Sequence, residues 1–256
     1  MQAAPTPVLL RGITAAARNA QDLLYDAQVL AEAGRGARAY SLAALAVEEA
    51  GKAGGLAILT VMPEALRARA PVGRMLEWHQ LKQVQGLFIA RVPFRMPDVA
   101  PWLAALPAGE LAQVLSGLDA PADEADRLKR RGLYVDVGRG GAIREPTEIT
   151  EAEVLSQLAR AQQAASGAGQ LLEPELQARL VNPPAEAVEL SRAAVSALAE
   201  ASCARNPEAA TSVMLNTISK LRDRMAGKDA VRSPLQASCG PGGHQAHSAR
   251  VRHRND

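Results

Sequence analysis

Apolar residues recur at three- and four-residue steps through most of this chain. From residue 9 to 33 they fall at Leu10, Ile13, Ala17, Ala20, Leu24, Ala27 and Leu30, the spacing that lines one face of an α-helix. Gly34 and Gly36 end the pattern. A second run, 37–61, stops at Pro63, and the short connection predicts an antiparallel helical hairpin. A third helix is expected over 74–91, closed by Pro93 and Pro97, with 93–108 as a proline-rich surface loop. Short helices near 109–117 and 121–133 lead into an irregular extended stretch, 134–149. Thr150-Glu-Ala-Glu153 has the form of a capping box and opens a helix to about residue 166, with an extension past Gly167 and Gly169 left open. Asn182-Pro-Pro184 and Asn206-Pro207 start two further helices, about 185–203 and 207–226, which read as a C-terminal hairpin. From Lys228 onward periodicity disappears, and residues 228–256 are expected to be disordered.

One segment breaks the apolar pattern from inside. In the second helix, Leu42, Leu45, Ala46, Glu49, Ala53 and Leu56 share a face at 100° per residue, which puts Glu49 within the expected core stripe. Glu48 and Lys52 sit four apart on its flank, with Ser41 one or two turns before them. A carboxylate on a core face is costly unless it is paired or hydrogen-bonded. It therefore marks either a structural polar lock between helices or a functional site.

Composition narrows the fold. The chain of 256 residues is 48% hydrophobic but only 3% aromatic, rich in alanine and leucine and poor in β-branched runs. This favours an all-α protein packed through small residues. No apolar stretch reaches the length of a membrane span, the N-terminus lacks the order of a signal peptide, and Cys203 and Cys239 give no disulfide framework. A cytoplasmic protein is expected. The formal charge of +2 is uneven, because residues 228–256 carry +3 and the rest of the chain about −1. Overall basicity is thus no argument for nucleic-acid binding; local clusters must carry one.

Three clusters carry candidate chemistry. Five lysines stand among 29 basic residues, and three of them, Lys52, Lys82 and Lys129, lie in these clusters. The first cluster is Glu48-Glu49-Ala-Gly51-Lys52. The second is His79-x-x-Lys82, whose histidine is the only one outside the tail, three residues from an ammonium on the same helix face. The third is Asp126-Arg127-Leu-Lys129-Arg130-Arg131-Gly-Leu-Tyr134-Val-Asp136, a cationic helix end followed by alternation of Leu133, Val135 and Val137. It reads as a phosphate-facing patch beside a buried tyrosine. Cys239, His244 and His247 are too few for a metal site, and Gly138-Arg-Gly-Gly141 is not a phosphate loop. Neither a metal nor a cofactor is expected.

In this order, and with Pro146 and the helix from Thr150 behind them, the three clusters resemble the AbiV family of bacterial abortive-infection proteins, within the HEPN group of helical domains. The resemblance covers about residues 12–172. It implies a HEPN-like helical bundle over 9–172, which leaves a helical extension at 173–227 and the basic tail at 228–256. It also implies a role in phage defence and pairing into a homodimer. Many HEPN domains are metal-independent ribonucleases with an Arg-x(4–6)-His motif, and Arg74-x4-His79 satisfies it. However, Arg74 and His79 are about 140° apart on a continuous helix and converge only if the helix begins between them. On the ribonuclease reading, His79, Lys82, Glu49, Lys52 and Tyr134 form the catalytic set, cleaving RNA through its own 2′-hydroxyl to leave cyclic phosphate ends. Arg74, Lys129, Arg130 and Arg131 bind phosphate, while Glu48 and Asp136 belong to a structural polar network. Two other classes stay open: a binding protein that sequesters a phage component or part of the translation machinery, with a phage protein as trigger, and a plain helical scaffold.

Overall fold

The computed structural model describes residues 4–68, 79–91, 119–137, 140–146 and 149–183, with a few isolated positions up to 192. Seven helices appear among them: α1 (Thr6–Glu32), α2 (Gly36–Val61), α3 (Glu64–Arg67), α4 (His79–Arg91), α5 (Asp119–Leu133), α6 (Glu151–Gln170) and α7 (Pro174–Val181). Between α5 and α6 lies a minimal antiparallel hairpin, β1 (Asp136–Val137) and β2 (Ile143–Arg144). The architecture is an all-α bundle, as the periodicity predicts. The loop at 93–108 and the helix at 109–117 lie outside the described residues, as do the helix at 207–226, the tail at 228–256 and all but isolated positions of 185–203.

The bundle is assembled around α2. Helix α1 buries Leu9, Ile13, Ala16, Ala17, Ala20, Leu24 and Ala27 along one stripe and packs antiparallel to α2. Helices α4, α5 and α6 close the other sides of α2. Seventeen of the 26 residues of α2 are buried, and most of these are alanine or glycine. Small side chains let backbones approach closely, so they mark the contact faces here more reliably than leucine does. Between its ends, the outward strip of α2 is Arg38, Leu42, Leu45, Glu49 and Lys52; Gly36, Ala37, Ile58 and Val61 are the other residues of the helix that are not buried.

The tightest contact is the crossing of α2 and α4. A Cβ on Gly51 would collide with the Lys82 carbonyl oxygen and lie 2.8 Å from the Gly86 nitrogen. A Cβ on Gly86 would collide with the Val47 carbonyl and lie 2.7 Å from a Val47 methyl. With glycine on both sides the two backbones touch, and the start of α4 is drawn against the middle of α2.

Helix α6 begins where the sequence places it. The Thr150 amide donates to the Glu153 carboxylate at 2.7 Å and the Glu153 amide donates back to the Thr150 hydroxyl at 3.3 Å, which completes the capping box. The helix runs on through Gly167 to Gln170, because Gly167 is a contact point: a Cβ there would lie 2.7 Å from Ile89 of α4. Helix α7 is an element the apolar pattern did not reveal. It buries only Leu180, and its start is set by proline at the first turn. The described residues of 134–149 are irregular as expected, apart from the hairpin; between its strands Gly140 and Gly141 have φ 95 and 81, a region that glycine enters without penalty.

Candidate functional site

The polar centre of the molecule is Glu48, on the inner side of α2. It is 2% exposed. Its Oε2 receives His79 Nδ1 at 2.6 Å and lies 3.6 Å from Lys82 Nζ, both from α4. Its Oε1 receives Lys129 Nζ from α5 and, at 3.3 Å, the Gln83 side-chain amide. The same amide donates to the Ala44 carbonyl at 2.8 Å, which fixes Gln83 against α2. Lys129 also contacts Asp126 at 3.0 Å, and Asp126 in turn receives the Arg130 guanidinium. An unbroken chain of charge pairs therefore runs from His79 through Glu48, Lys129 and Asp126 to Arg130.

The interior of this chain is dry and its two ends are wet. Lys82, Lys129 and Asp126 are buried alongside Glu48, whereas the side chains of His79 and Arg130 are 55% and 68% exposed. Burial alone would raise the pKa of Glu48. The hydrogen bonds and charges of Lys129 and His79 outweigh it and hold the carboxyl below its ordinary value. Asp126 behaves alike: burial opposes ionisation, and Lys129 and Arg130 overcome it. Both carboxylates thus accept hydrogen bonds as anions. An ionised Glu48 can only accept, so His79 donates from Nδ1, and its Nε2 lies on the other edge of the ring.

Local sequence explains each position. On α5, Ala122, Ala125, Asp126, Lys129 and Gly132 recur at three- and four-residue steps and are all buried. Gly132 lets α5 meet α2 closely, since a Cβ there would collide with the Ser41 hydroxyl and the Ala37 carbonyl. Ser41 Oγ lies 3.0 Å from both the Ala37 and Lys129 carbonyls, which pins the α5 turn bearing Lys129 onto α2. On α4, His79, Lys82 and Gln83 share one face at i, i+3, i+4.

Several expected placements are corrected. Glu49 is not in the core stripe. It sits on the half-exposed strip of α2 and pairs with Lys52, so neither joins the contacts of Glu48 with His79 and Lys82. The expected stripe fails because α2 is covered on several sides: Leu42 and Leu45 lie on the outward strip, whereas Ala46, Ala53 and Leu56 are buried. Tyr134 is 65% exposed rather than buried, because it follows the end of α5 and leaves the bundle. The buried tyrosine is Tyr40, whose hydroxyl burial pushes up to about 12. Lys129 is interior rather than part of a surface phosphate patch, since it lies on the contact stripe of α5; Arg130 is on the surface and Arg131 half-buried. Glu48 belongs to a polar network, as expected, and forms its centre. Asp136 takes part in the hairpin opposite Arg144. Arg74 lies outside the described residues.

Two members of the network, Gln83 and Asp126, were not assigned a role from sequence. Their signals were present: Gln83 is one helical turn after His79, and Asp126 is three residues before Lys129 on the small-residue stripe. Among the described residues no group of three or more His, Cys, Asp or Glu is placed to hold a metal ion, and no helix is long and apolar enough to cross a membrane.

Comparison with known proteins gives one match. The family model described as AbiV, of the HEPN group, matches residues 8–166. No curated protein and no solved structure matches the chain. The matched region covers more than half of the 256 residues and contains the whole network from Glu48 to Arg130, so the chain belongs to the AbiV family of abortive-infection phage-defence proteins.

Proposed function

We propose that this protein arrests phage propagation by acting on RNA, with His79 as the proton-transfer group and Glu48 as the residue that positions it. The observation that carries this reading is the pairing of a buried carboxylate with a half-exposed imidazole: His79 Nδ1 is held 2.6 Å from Glu48 Oε2 while more than half of the side chain is exposed. A carboxylate that fixes the tautomer of a histidine leaves the opposite nitrogen as a base directed outward. In RNA, that nitrogen would take the proton of a 2′-hydroxyl. The 2′-oxygen bonds to the adjacent phosphorus and the bond to the 5′-oxygen breaks. The imidazolium returns its proton to the departing 5′-oxygen, which leaves a 2′,3′-cyclic phosphate and a 5′-hydroxyl. Around this group, Lys82, Lys129 and Arg130 oppose Glu48 and Asp126, an excess of one positive charge that favours a phosphate nearby.

A second reading is supported by the burial of Lys82 and Lys129 on carboxylates. Ammonium groups spent in this way leave few free to clamp a substrate phosphate. On that reading the network is an internal lock, and the protein acts by binding a phage or host component. Incubating purified protein with RNA separates the two. The ribonuclease reading expects fragments with cyclic phosphate ends, formed about 10²–10⁴ times more slowly by His79→Ala. Intact RNA with wild type, or equal cleavage by a folded His79→Ala, excludes it.

A further inference from the structure

Lys129 is shared between two carboxylates, and of the two it is Glu48 that holds His79. The ammonium contacts Glu48 Oε1 and lies 3.0 Å from Asp126 Oδ1. The side chains of Lys129, Glu48 and Asp126 are each less than 10% exposed, so solvent screens little of the competition between the two acids. An ammonium only donates, and each carboxylate draws on the same charge. The backbone that carries Lys129 is held in place. Ser41 Oγ lies 3.0 Å from the Lys129 carbonyl, and three residues on, a Cβ at Gly132 would collide with the Ala37 carbonyl of α2. The turn is therefore fixed, which leaves the flexible stem of the lysine to respond.

Glu48 is an acceptor on both of its oxygens. Oε1 takes Lys129 and the Gln83 amide, while Oε2 takes His79 Nδ1 at 2.6 Å and lies 3.6 Å from Lys82 Nζ. Hydrogen bonds on one group polarise one another in a low dielectric. Charge drawn to Lys129 at Oε1 thus weakens the carboxylate as an acceptor at Oε2, and the place of Lys129 sets how firmly His79 is held. That place depends on Asp126, whose charge is opposed by the Arg130 guanidinium, on a side chain 68% exposed. The two outer groups therefore act with opposite signs. If Asp126 loses its charge, Lys129 passes wholly to Glu48 and the bond to His79 weakens. If Arg130 loses its charge, Asp126 draws Lys129 from Glu48 and the bond to His79 strengthens. A purely structural role gives no such opposition, since either loss would loosen the network.

We infer that Asp126 is a positioning residue for His79, acting through Lys129 and Glu48, and that Arg130 sets its strength from the surface. The inference rests on the reading of His79 as the proton-transfer group, but its test does not need activity. The full chain is labelled with 15N-histidine, and the Nδ1 proton of His79 is observed by NMR at low temperature and above neutral pH. It is assigned by its absence from His79→Ala. The resonance of such a proton moves downfield as its hydrogen bond tightens. Asp126→Asn keeps the shape and removes the charge, and is expected to move it upfield. Arg130→Gln alters an exposed side chain and is expected to move it downfield. Circular dichroism verifies that each variant is folded; if Asp126→Asn does not fold, Arg130→Gln decides alone. Three results would overturn the inference: shifts of the same sign in both variants, a resonance unmoved in a folded variant, or no hydrogen-bonded Nδ1 proton in wild type. Assay of RNA cleavage on the same samples keeps the two claims apart. Intact RNA with opposed shifts removes the ribonuclease reading and leaves the coupling standing; cleavage with unmoved resonances does the reverse.

Discussion

Adjacent glutamates on one helix have opposite fates in this protein, and the difference is a rotation of 100°. Glu48 faces α4 and α5, and its carboxylate meets Lys129, Lys82 and His79. Glu49 faces the outward strip and pairs with Lys52. Glu48→Gln leaves two buried ammonium groups short of their counter-charge and is expected to lower stability by about 3–5 kcal/mol. Glu49→Gln removes a half-exposed pair and is expected to cost less than about 1 kcal/mol. Urea unfolding of the two variants checks the contrast, and equal losses would show that Glu48 is not the hub. The same residue governs acid sensitivity. The pKa of Glu48 is lowered in the folded state from 4.5, and that of Asp126 from 3.8. Each thus contributes stability that is full above its unfolded value and is lost as pH falls through its folded value. Stability is expected to drop below about pH 4.5, and less steeply in Glu48→Gln; parallel pH profiles would contradict this. The sequence showed that a carboxylate breaks an alanine-rich helix, but not which of the two points inward. That choice depends on how many neighbours surround α2, which is a tertiary fact.

At the level of elements, the site is set by helices meeting without side chains between them. Gly51 and Gly86 let α2 and α4 touch, and Gly132 does the same for α5. Gly51→Ala would place a methyl group against the Lys82 carbonyl and displace the turn that carries Lys82 and Gln83. It is expected to cost about 1–3 kcal/mol, despite the higher helix propensity of alanine, and to weaken any activity that depends on His79. Thermal unfolding checks it, and a stabilised variant would mean that the crossing is looser than described. Thr150→Ala removes the cap of α6, whose Thr150 and Glu153 make no contact with the Glu48 carboxylate, and is expected to cost about 1 kcal/mol with activity unchanged; a loss of activity in a folded variant would contradict the separation of cap and site. The capping box, α1, α2 and the basic end of α5 were all legible from local pattern. Helix α7 was not, because it is short and buries a single residue. The hairpin was not, because two-residue strands fall below any periodicity.

At the scale of the molecule, α2 is a scaffold through which α4 and α5 share one set of charges. The chain of pairs from His79 to Arg130 crosses three helices that are distant in sequence, which is why local periodicity could identify its members yet misassign their partners. Ordered together, the motifs still pointed to the right family, since the order Glu-Glu-x-Gly-Lys, His-x-x-Lys, Lys-Arg-Arg-Gly survives misplacement of any one side chain. What the family does to a phage depends on whether His79 moves protons or only caps the network. The most direct measurement expresses wild type and His79→Ala at equal levels during phage infection, verifies that the variant is folded, and maps the ends of cellular RNA. The account predicts protection and new cyclic phosphate ends with wild type, and neither with His79→Ala. A folded His79→Ala variant that still protects the cells, with intact RNA in both, would contradict it.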